Sequence, residues 1–198
     1  MNAALSGFGL GFSLILAIGS QNAFVLRQGL KNQHVLAVVL VCALSDALLI
    51  AAGVSGFGVL VQKAPWIEPM AKIGGALFLT VYGLRALWSA YRSNDAMLAA
   101  NDRDQTLWQA MAVCLAFTWL NPHVYLDTVI LLGSVSTQFA GQKLAFALGA
   151  MSASLVFFFA LGFGAKALSP LFASPRSWRM LDAIVGITML SIAVSLLN

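Results

Sequence analysis

Long apolar segments alternate with short polar ones along the whole chain. Six segments carry few or no charged side chains, and they cover residues 1–26, 35–61, 67–90, 105–136, 144–165 and 178–197. Each reaches the roughly 20 residues that a helix needs to cross the hydrocarbon of a bilayer. Because lipid satisfies no backbone hydrogen bond, helices are the expected spanning elements. The pattern predicts an all-α integral membrane protein with six transmembrane helices.

Composition excludes a soluble domain. Of the 198 residues, 60% are hydrophobic and only 9% are charged, whereas a soluble domain of this size needs far more polar surface. We therefore expect a single transmembrane domain over residues 1–198. One sizeable polar loop, residues 92–106, divides it near its midpoint.

The two halves of the chain resemble each other. "SDALLIAAGVSGFG" in the second segment matches "SASLVFFFALGFG" in the fifth if one gap is allowed. Residues 19–22 correspond to residues 120–123, and Gly75 corresponds loosely to Gly186. Three spans per half is an odd number, so a repeat would have inverted topology, a pattern common among transporters. The sequence predicts two inverted three-helix repeats, at about 1–91 and 107–198; chance similarity between apolar helices is the alternative.

Helix breakers interrupt the first and fourth predicted helices. Pro122 lacks a backbone donor and disfavours helical geometry at Asn121, so a continuous helix is not expected there. Asparagine is a favoured N-cap and proline a favoured first helical residue, which predicts a new half-helix at this point. In the first helix Gly19 is a weak point and Ser20 a candidate cap. Two helices interrupted at matching positions indicate a transporter site; ordinary kinks are the alternative.

Two acids lie deep in apolar segments, Asp46 in the second and Asp127 in the fourth. Each costs about 2.5 to 3.5 kcal/mol if it is placed at the centre of a membrane helix. No lysine or arginine lies deep in any segment, so a cationic substrate or a proton could supply the missing positive charge. Asp127 has a local alternative partner in His123, four residues away on the same helical face, whereas Asp46 has none.

Other chemistry is scarce in this sequence. Tyr125 is either a site hydroxyl or a packing residue. Cys42 and Cys114 lack CxxC spacing and are expected to pack as apolar side chains. The sequence contains no phosphate loop, no serine–histidine–acid set and no metal-ligand cluster, so we expect neither an enzyme nor a cofactor or metal site. The net charge of +4 belongs to the membrane faces and does not indicate nucleic-acid binding.

Basic residues are unevenly divided between the connections. The first, third and fifth connections, with the neighbouring span ends, hold eight lysines and arginines, and the second and fourth hold three. By the positive-inside rule, both termini are expected outside the cytoplasm.

Three stretches resemble the LysE/ArgO family of bacterial lysine/arginine exporters: "GSQNAFVLRQGLKNQ", "CALSDALLIAAG" and "FTWLNPHVYLDTVILLGS". The similarity extends over essentially the whole chain. The NPHxYLD motif is specific, because related exporters of neutral amino acids usually keep only its asparagine–proline. The resemblance implies export of L-lysine, L-arginine or analogues such as canavanine across the bacterial cytoplasmic (inner) membrane, coupled to the proton-motive force. The family commonly has proline where this chain has Ser20, which weakens the expectation of a sharp break in the first helix.

The resemblance and the buried acids indicate the same cargo. The acids would bind cations or protons, and the half-helix N-termini would receive the substrate carboxylate. His123 would help to relay protons. The substrate- and proton-binding residues predicted in this way are Asp46, Asp127, Gln21, Asn22, Asn121, Pro122, His123 and Tyr125. The partners expected are L-arginine, L-lysine, protons and membrane lipid, and a homo-oligomer is compatible with the sequence.

Two other functions stay open at this stage. A membrane thiol–disulfide conduit would depend on Cys42 and Cys114. An exporter of neutral amino acids would resemble this chain in its helices, but Asp46 and Asp127 oppose that interpretation.

Overall fold

The computed structural model describes residues 2–16, 19–56, 67–92, 105–172 and 174–197. These residues form eight helices and one 3-10 segment, Ala165–Phe172. Seven of the helices are α1 Ala3–Ile15, α2 Ser20–Lys31, α3 Val35–Val54, α4 Ile67–Arg92, α5 Leu107–Trp119, α7 Lys143–Gly164 and α8 Pro175–Leu197. The remaining helix, α6, consists of three consecutive pieces: Pro122–Val124, a π-helical turn Tyr125–Leu131, and Leu132–Ser136.

Local sequence explains several helix ends. The side chain of Asn2 caps α1 by accepting from the amide of Ala4 at 3.2 Å. Thr106 and Gln109 form a reciprocal capping box at the start of α5, as expected for threonine followed three residues later by glutamine. Asn32 ends α2 in the left-handed region, with φ 52°, a conformation that asparagine tolerates better than most residues. These caps set where the apolar helices begin and end.

The predicted helical membrane protein is confirmed in its coarser form. Within the described ranges, four helical stretches are long and apolar enough to cross a bilayer: Val35–Val54, Lys72–Tyr91, Lys143–Pro170 and Arg176–Leu197. A fifth candidate is the pair α1 and α2, which is bent by 83° between Ile15 and Ser20. The fourth predicted span is divided in the structure, because α5 ends at Trp119 and α6 begins at Pro122.

Some predicted boundaries fall outside the described residues. The second span was expected to reach Val61, but α3 ends at Val54 and residues 57–66 are not described. Most of the polar loop at 92–106 is likewise outside the described part.

Close helix contacts run through small residues. α1 packs along α7, α4 packs along α8, and α3 lies against both α7 and α5. On α1, Gly7 and Gly11 face Phe146 and Ala150 of α7 so closely that a Cβ on Gly7 would overlap the carbonyl oxygen of Phe146. Small residues at such positions let membrane helices approach each other. The GxxxG pair of α1 is therefore a packing motif.

Adding one methyl group to α1 tests this packing. We expect Gly7→Ala to destabilise the fold by about 1–3 kcal/mol, because the new Cβ must push α1 away from α7. Gly9→Ala is the matched control, since a Cβ on Gly9 meets nothing within 4 Å. Thermal unfolding of both purified variants measures the difference, and equal midpoints would show that α1 and α7 are not in close contact.

Candidate functional site

A cavity of about 350 Å³ lies where the starts of α2 and α6 meet the middle of α3. Its walls combine apolar side chains, among them Ile50 and Phe158, with a group of polar ones. The polar lining residues are Gln21, Asn22, Asp46, Asn121, His123, Asp127, Thr128 and Ser195. Six of the eight residues predicted from the sequence therefore lie around one space of the size of a small-molecule site.

Asp46 occupies the α3 side of this cavity. Its residue is only 4% exposed, and its Oδ2 accepts one hydrogen bond, from Ser154 Oγ of α7 at 2.7 Å. Among the described residues no lysine, arginine or histidine forms an ion pair with it. A buried carboxylate with a single neutral donor is incompletely compensated, so this wall of the cavity is suited to a cation or a proton.

Asp127 contributes a second acid from the π-helical turn of α6. It is half-buried and lines the same cavity as His123. No hydrogen bond or ion pair joins the two side chains in the described part of the chain. The sequence argument assumed α-helical spacing, in which residues four apart share a face, whereas the wider π-helical turn begins at Tyr125 and changes that register. Single π-helical turns occur frequently at functional sites.

The break before α6 is built as the sequence predicts. Asn121 is the N-cap, and its side-chain oxygen accepts from the amide of His123 at 3.1 Å. Pro122 is the first helical residue and is buried. The Tyr125 hydroxyl donates to the carbonyl of Trp119 at 2.8 Å, on the other side of the break. Pro122 and Tyr125 do not line the cavity; they shape the helix start that does.

The break between α1 and α2 differs from the prediction in one respect. Ser20 was a candidate cap, but the N-cap is Gly19, which has no side chain to offer, and Ser20 is the first helical residue. The Asn22 side-chain amide donates to the carbonyl of Ile15 at 2.8 Å and so links the two helices across the break. Ser20 Oγ and Gln21 Nε2 are buried without a hydrogen-bond partner among the described residues.

A buried ion pair lies in a different part of the bundle and was missed by sequence reasoning. Arg27 of α2 lies 3.1 Å from Asp182 of α8, and Ser89 of α4 donates to the same carboxylate at 2.8 Å. Asp182 lies near the start of the sixth apolar segment, but the residue is only 4% exposed. Opposite charges near the ends of the first and sixth spans were the available signal. This cluster ties three helices together.

The two cysteines are also closer than their spacing suggested. The Sγ atoms of Cys42 on α3 and Cys114 on α5 lie 3.1 Å apart, and both residues are free and fully buried. The residues are 72 positions apart along the chain, and a contact of that range has no local sequence signal. No group of three or more metal-ligating side chains occurs among the described residues.

Comparison with known proteins identifies relatives along nearly the whole chain. The family described as LysE type translocator matches residues 12–198. The arginine exporter protein ArgO of Salmonella enteritidis is 44% identical over 191 residues, which cover 96% of this chain and 90% of that protein. A protein of Mycobacterium bovis, named as a candidate amino-acid transporter, is 44% identical over 185 residues, 93% of this chain and 92% of its own length. No solved structure matches the chain.

Removing the donor to Asp46 tests its environment. We expect Ser154→Ala to destabilise the protein by about 1–3 kcal/mol, because a buried carboxylate oxygen loses the one hydrogen bond that the described residues give it. Ser152→Ala on the same helix is the matched control, since that exposed hydroxyl bonds only to its own helix, at Leu148. Thermal unfolding in detergent compares the two, and an unchanged midpoint for Ser154→Ala would contradict the geometry at Asp46.

Proposed function

This chain belongs to the LysE type translocator family, and we propose that it exports L-arginine and L-lysine from the bacterial cytoplasm with the proton-motive force as the driving gradient. It is a multi-pass membrane transporter of amino acids and not an enzyme. The cargo, the coupling to protons and the inner-membrane location belong to the proposal. If both termini lie outside the cytoplasm, export would move the cargo to the side of the membrane on which the termini lie.

One observation supports a basic cargo above all: Asp46 lines the cavity while lacking a cationic partner in the described part of the chain. Arginine and lysine carry the charge that this wall lacks, and their side-chain cation would approach a carboxylate shielded from water. Charge-assisted hydrogen bonds of this kind are about twice as strong as neutral ones. Asp127 supplies a second negative group to the same space, so one acid can hold the cargo while the other holds a proton.

The arrangement of the helices supports two inverted repeats. α1 packs on α7 as α5 packs on α3, and α2 contacts α7 as α6 contacts α3. α3 contacts α7, and α4 contacts α8; in each pair the two helices would occupy the same position in the two repeats. Such equivalent helices are expected to meet at a two-fold axis in the membrane plane. Six spans follow if α1 with α2, and α5 with α6, each count as one broken span.

Glycine contacts agree with this symmetry and refine it. Gly29 meets Gly162, and Gly53 meets Gly133, which pairs the second half of each broken helix with the long helix of the other half. Cβ atoms built on Gly83 and Gly186 would lie 3.1 Å and 2.9 Å from the other residue's carbonyl oxygen. Such mutual contact favours Gly83, rather than Gly75, as the counterpart of Gly186.

The cysteine pair favours one competing function, thiol–disulfide transfer. The 3.1 Å separation of the two sulfur atoms brings Cys42 and Cys114 within reach of each other. Exchange, however, requires an attacking thiolate to reach a sulfur atom, and both residues are 0% exposed. An exporter that keeps full activity without cysteines would remove this alternative.

Charge removal at Asp46 tests the proposal. We expect Asp46→Asn to reach the membrane in normal amounts and to export arginine about ten- to a hundredfold more slowly, the range that loss of a charge-assisted hydrogen bond predicts. Efflux of labelled arginine and lysine from preloaded proteoliposomes, under imposed pH and voltage gradients, is the measurement.

Two variants serve as controls in the same assay. Asp102→Asn removes a charge from the polar loop, and the double variant Cys42→Ala, Cys114→Ala removes both thiols; each should export at the wild-type rate. Wild-type rates for Asp46→Asn across all gradients would make this acid structural. Export that is insensitive to an imposed pH gradient would remove proton coupling from the proposal while leaving the cargo in place.

A further inference from the structure

Both interrupted helices begin at the central cavity, but the two helix starts differ in their free hydrogen-bonding capacity. α2 contributes Gly19, Gln21 and Asn22 to the lining, and α6 contributes Asn121 and His123. A helix N-terminus attracts anions through its unpaired amides and its dipole. The substrate of the proposed function has one anionic group, its α-carboxylate, and the two starts are competing places for it.

The start of α6 has already used its donors. Pro122 has no N–H, and the amide of His123 donates to the Asn121 side chain. The amide of Val124 donates to the Asn121 carbonyl at 3.2 Å, and the amide of Tyr125 donates to the carbonyl of Pro122. No backbone donor in this first turn is left for a ligand, so the helix start caps itself.

The start of α2 is the opposite case. Its N-cap is Gly19, which provides no side-chain oxygen, and the backbone amides of Ser20 and Gln21, as the first amides of a helix, have no acceptor within it. Two side-chain donors are added: Ser20 Oγ and Gln21 Nε2 have no partner among the described residues. Ser20 is 1% exposed and Gln21 is 8% exposed. Of the two residues only Gln21 lines the cavity. Because buried polar groups are nearly always paired, its unpaired donor at a helix start without a side-chain cap indicates an absent acceptor.

We propose that the start of α2, through Gln21 Nε2 and the backbone amides of Ser20 and Gln21, binds the α-carboxylate of the amino acid, and that α6 does not. The inference rests on the proposed function, because it assumes an amino-acid cargo. In the cavity lining, Gln21 comes from α2, whereas the carboxylates of Asp46 and Asp127 come from α3 and α6. The cargo is oriented with its carboxylate at Gln21 and its side-chain cation toward Asp46 and Asp127.

Decarboxylated arginine distinguishes recognition of the substrate carboxylate from recognition of its cationic groups. Agmatine keeps both cationic groups and lacks the carboxylate, so it should bind the wild-type protein about ten- to a hundredfold more weakly than L-arginine. Competition binding to purified protein at one pH and one salt concentration measures this ratio. Equal binding of the two ligands would overturn the inference, because nothing in the site would then recognise the carboxylate.

Variants of Gln21 test whether the start of α2 causes the difference in affinity between arginine and agmatine. Gln21→Met keeps the length of the side chain but removes its donor. The affinity for arginine should therefore fall while the affinity for agmatine stays constant. Gln21→Glu replaces the donor by a negative group and should reverse the preference, and it provides the test if the Met variant does not fold. Gln138→Met is the matched control, because Gln138 is an exposed residue of the turn after α6, and it should keep the wild-type ratio.

Asn121→Ala tests the start of α6 in the same assay. It should lower the affinities for arginine and agmatine by the same factor, since it loosens the cavity without changing the carboxylate subsite. A ratio that collapses in Asn121→Ala and persists in both Gln21 variants would overturn the inference and place the carboxylate at α6. Different results would contradict the proposed function. They are wild-type protein that binds neither ligand, or an Asp46→Asn variant that binds arginine as tightly as the wild type does.

Discussion

A carboxylate inside an apolar bundle must be compensated, and at Asp46 the described residues provide only one neutral donor for that purpose. Removing an ion from water has an effective penalty of several kcal/mol even after relaxation. The single hydrogen bond from Ser154 contributes about 1.5–3 kcal/mol as a bond to a charged group. The bond alone therefore does not offset the burial, and the described residues offer no cationic partner. Under the proposed function, a cation or proton in the adjoining cavity would complete the balance, which would link the stability of the fold to its cargo.

The same reasoning separates Asp46 from the other buried acid. Asp182 is as deeply buried, but it pairs with Arg27 and accepts from Ser89. Its charge is compensated within the protein, so it ties α2, α4 and α8 together instead of requiring a ligand. Burial alone therefore does not single out Asp46 for the proposed function. What distinguishes it from Asp182 is that the described residues supply no positive charge to compensate its carboxylate.

The sequence allowed those parts of the site to be predicted that follow local rules. The Asn121 cap and the break at Pro122 come from backbone chemistry that neighbouring residues determine, and the apolar segments locate the helices. Contacts between distant segments had no such signal: Ser154 reaches Asp46 across 108 positions, and Cys114 reaches Cys42 across 72. The π-helical turn at Tyr125–Leu131 was missed because α-helical spacing was assumed. Ser20 was misplaced by one position, since glycine and serine are both acceptable caps.

Under the proposed function, the cavity recognises a cation through acids that the described residues leave uncompensated. Citrulline tests it most directly, because it has nearly the shape of arginine but a neutral side chain, and it keeps the same α-amino and α-carboxylate groups. Equilibrium competition binding to the purified wild-type protein should show arginine bound at least about tenfold more tightly than citrulline, as expected for loss of a charge-assisted bond. Asp46→Asn should bring the two affinities together by weakening arginine alone. Equal affinities of the wild-type protein for both ligands would contradict the account and favour an exporter of neutral amino acids.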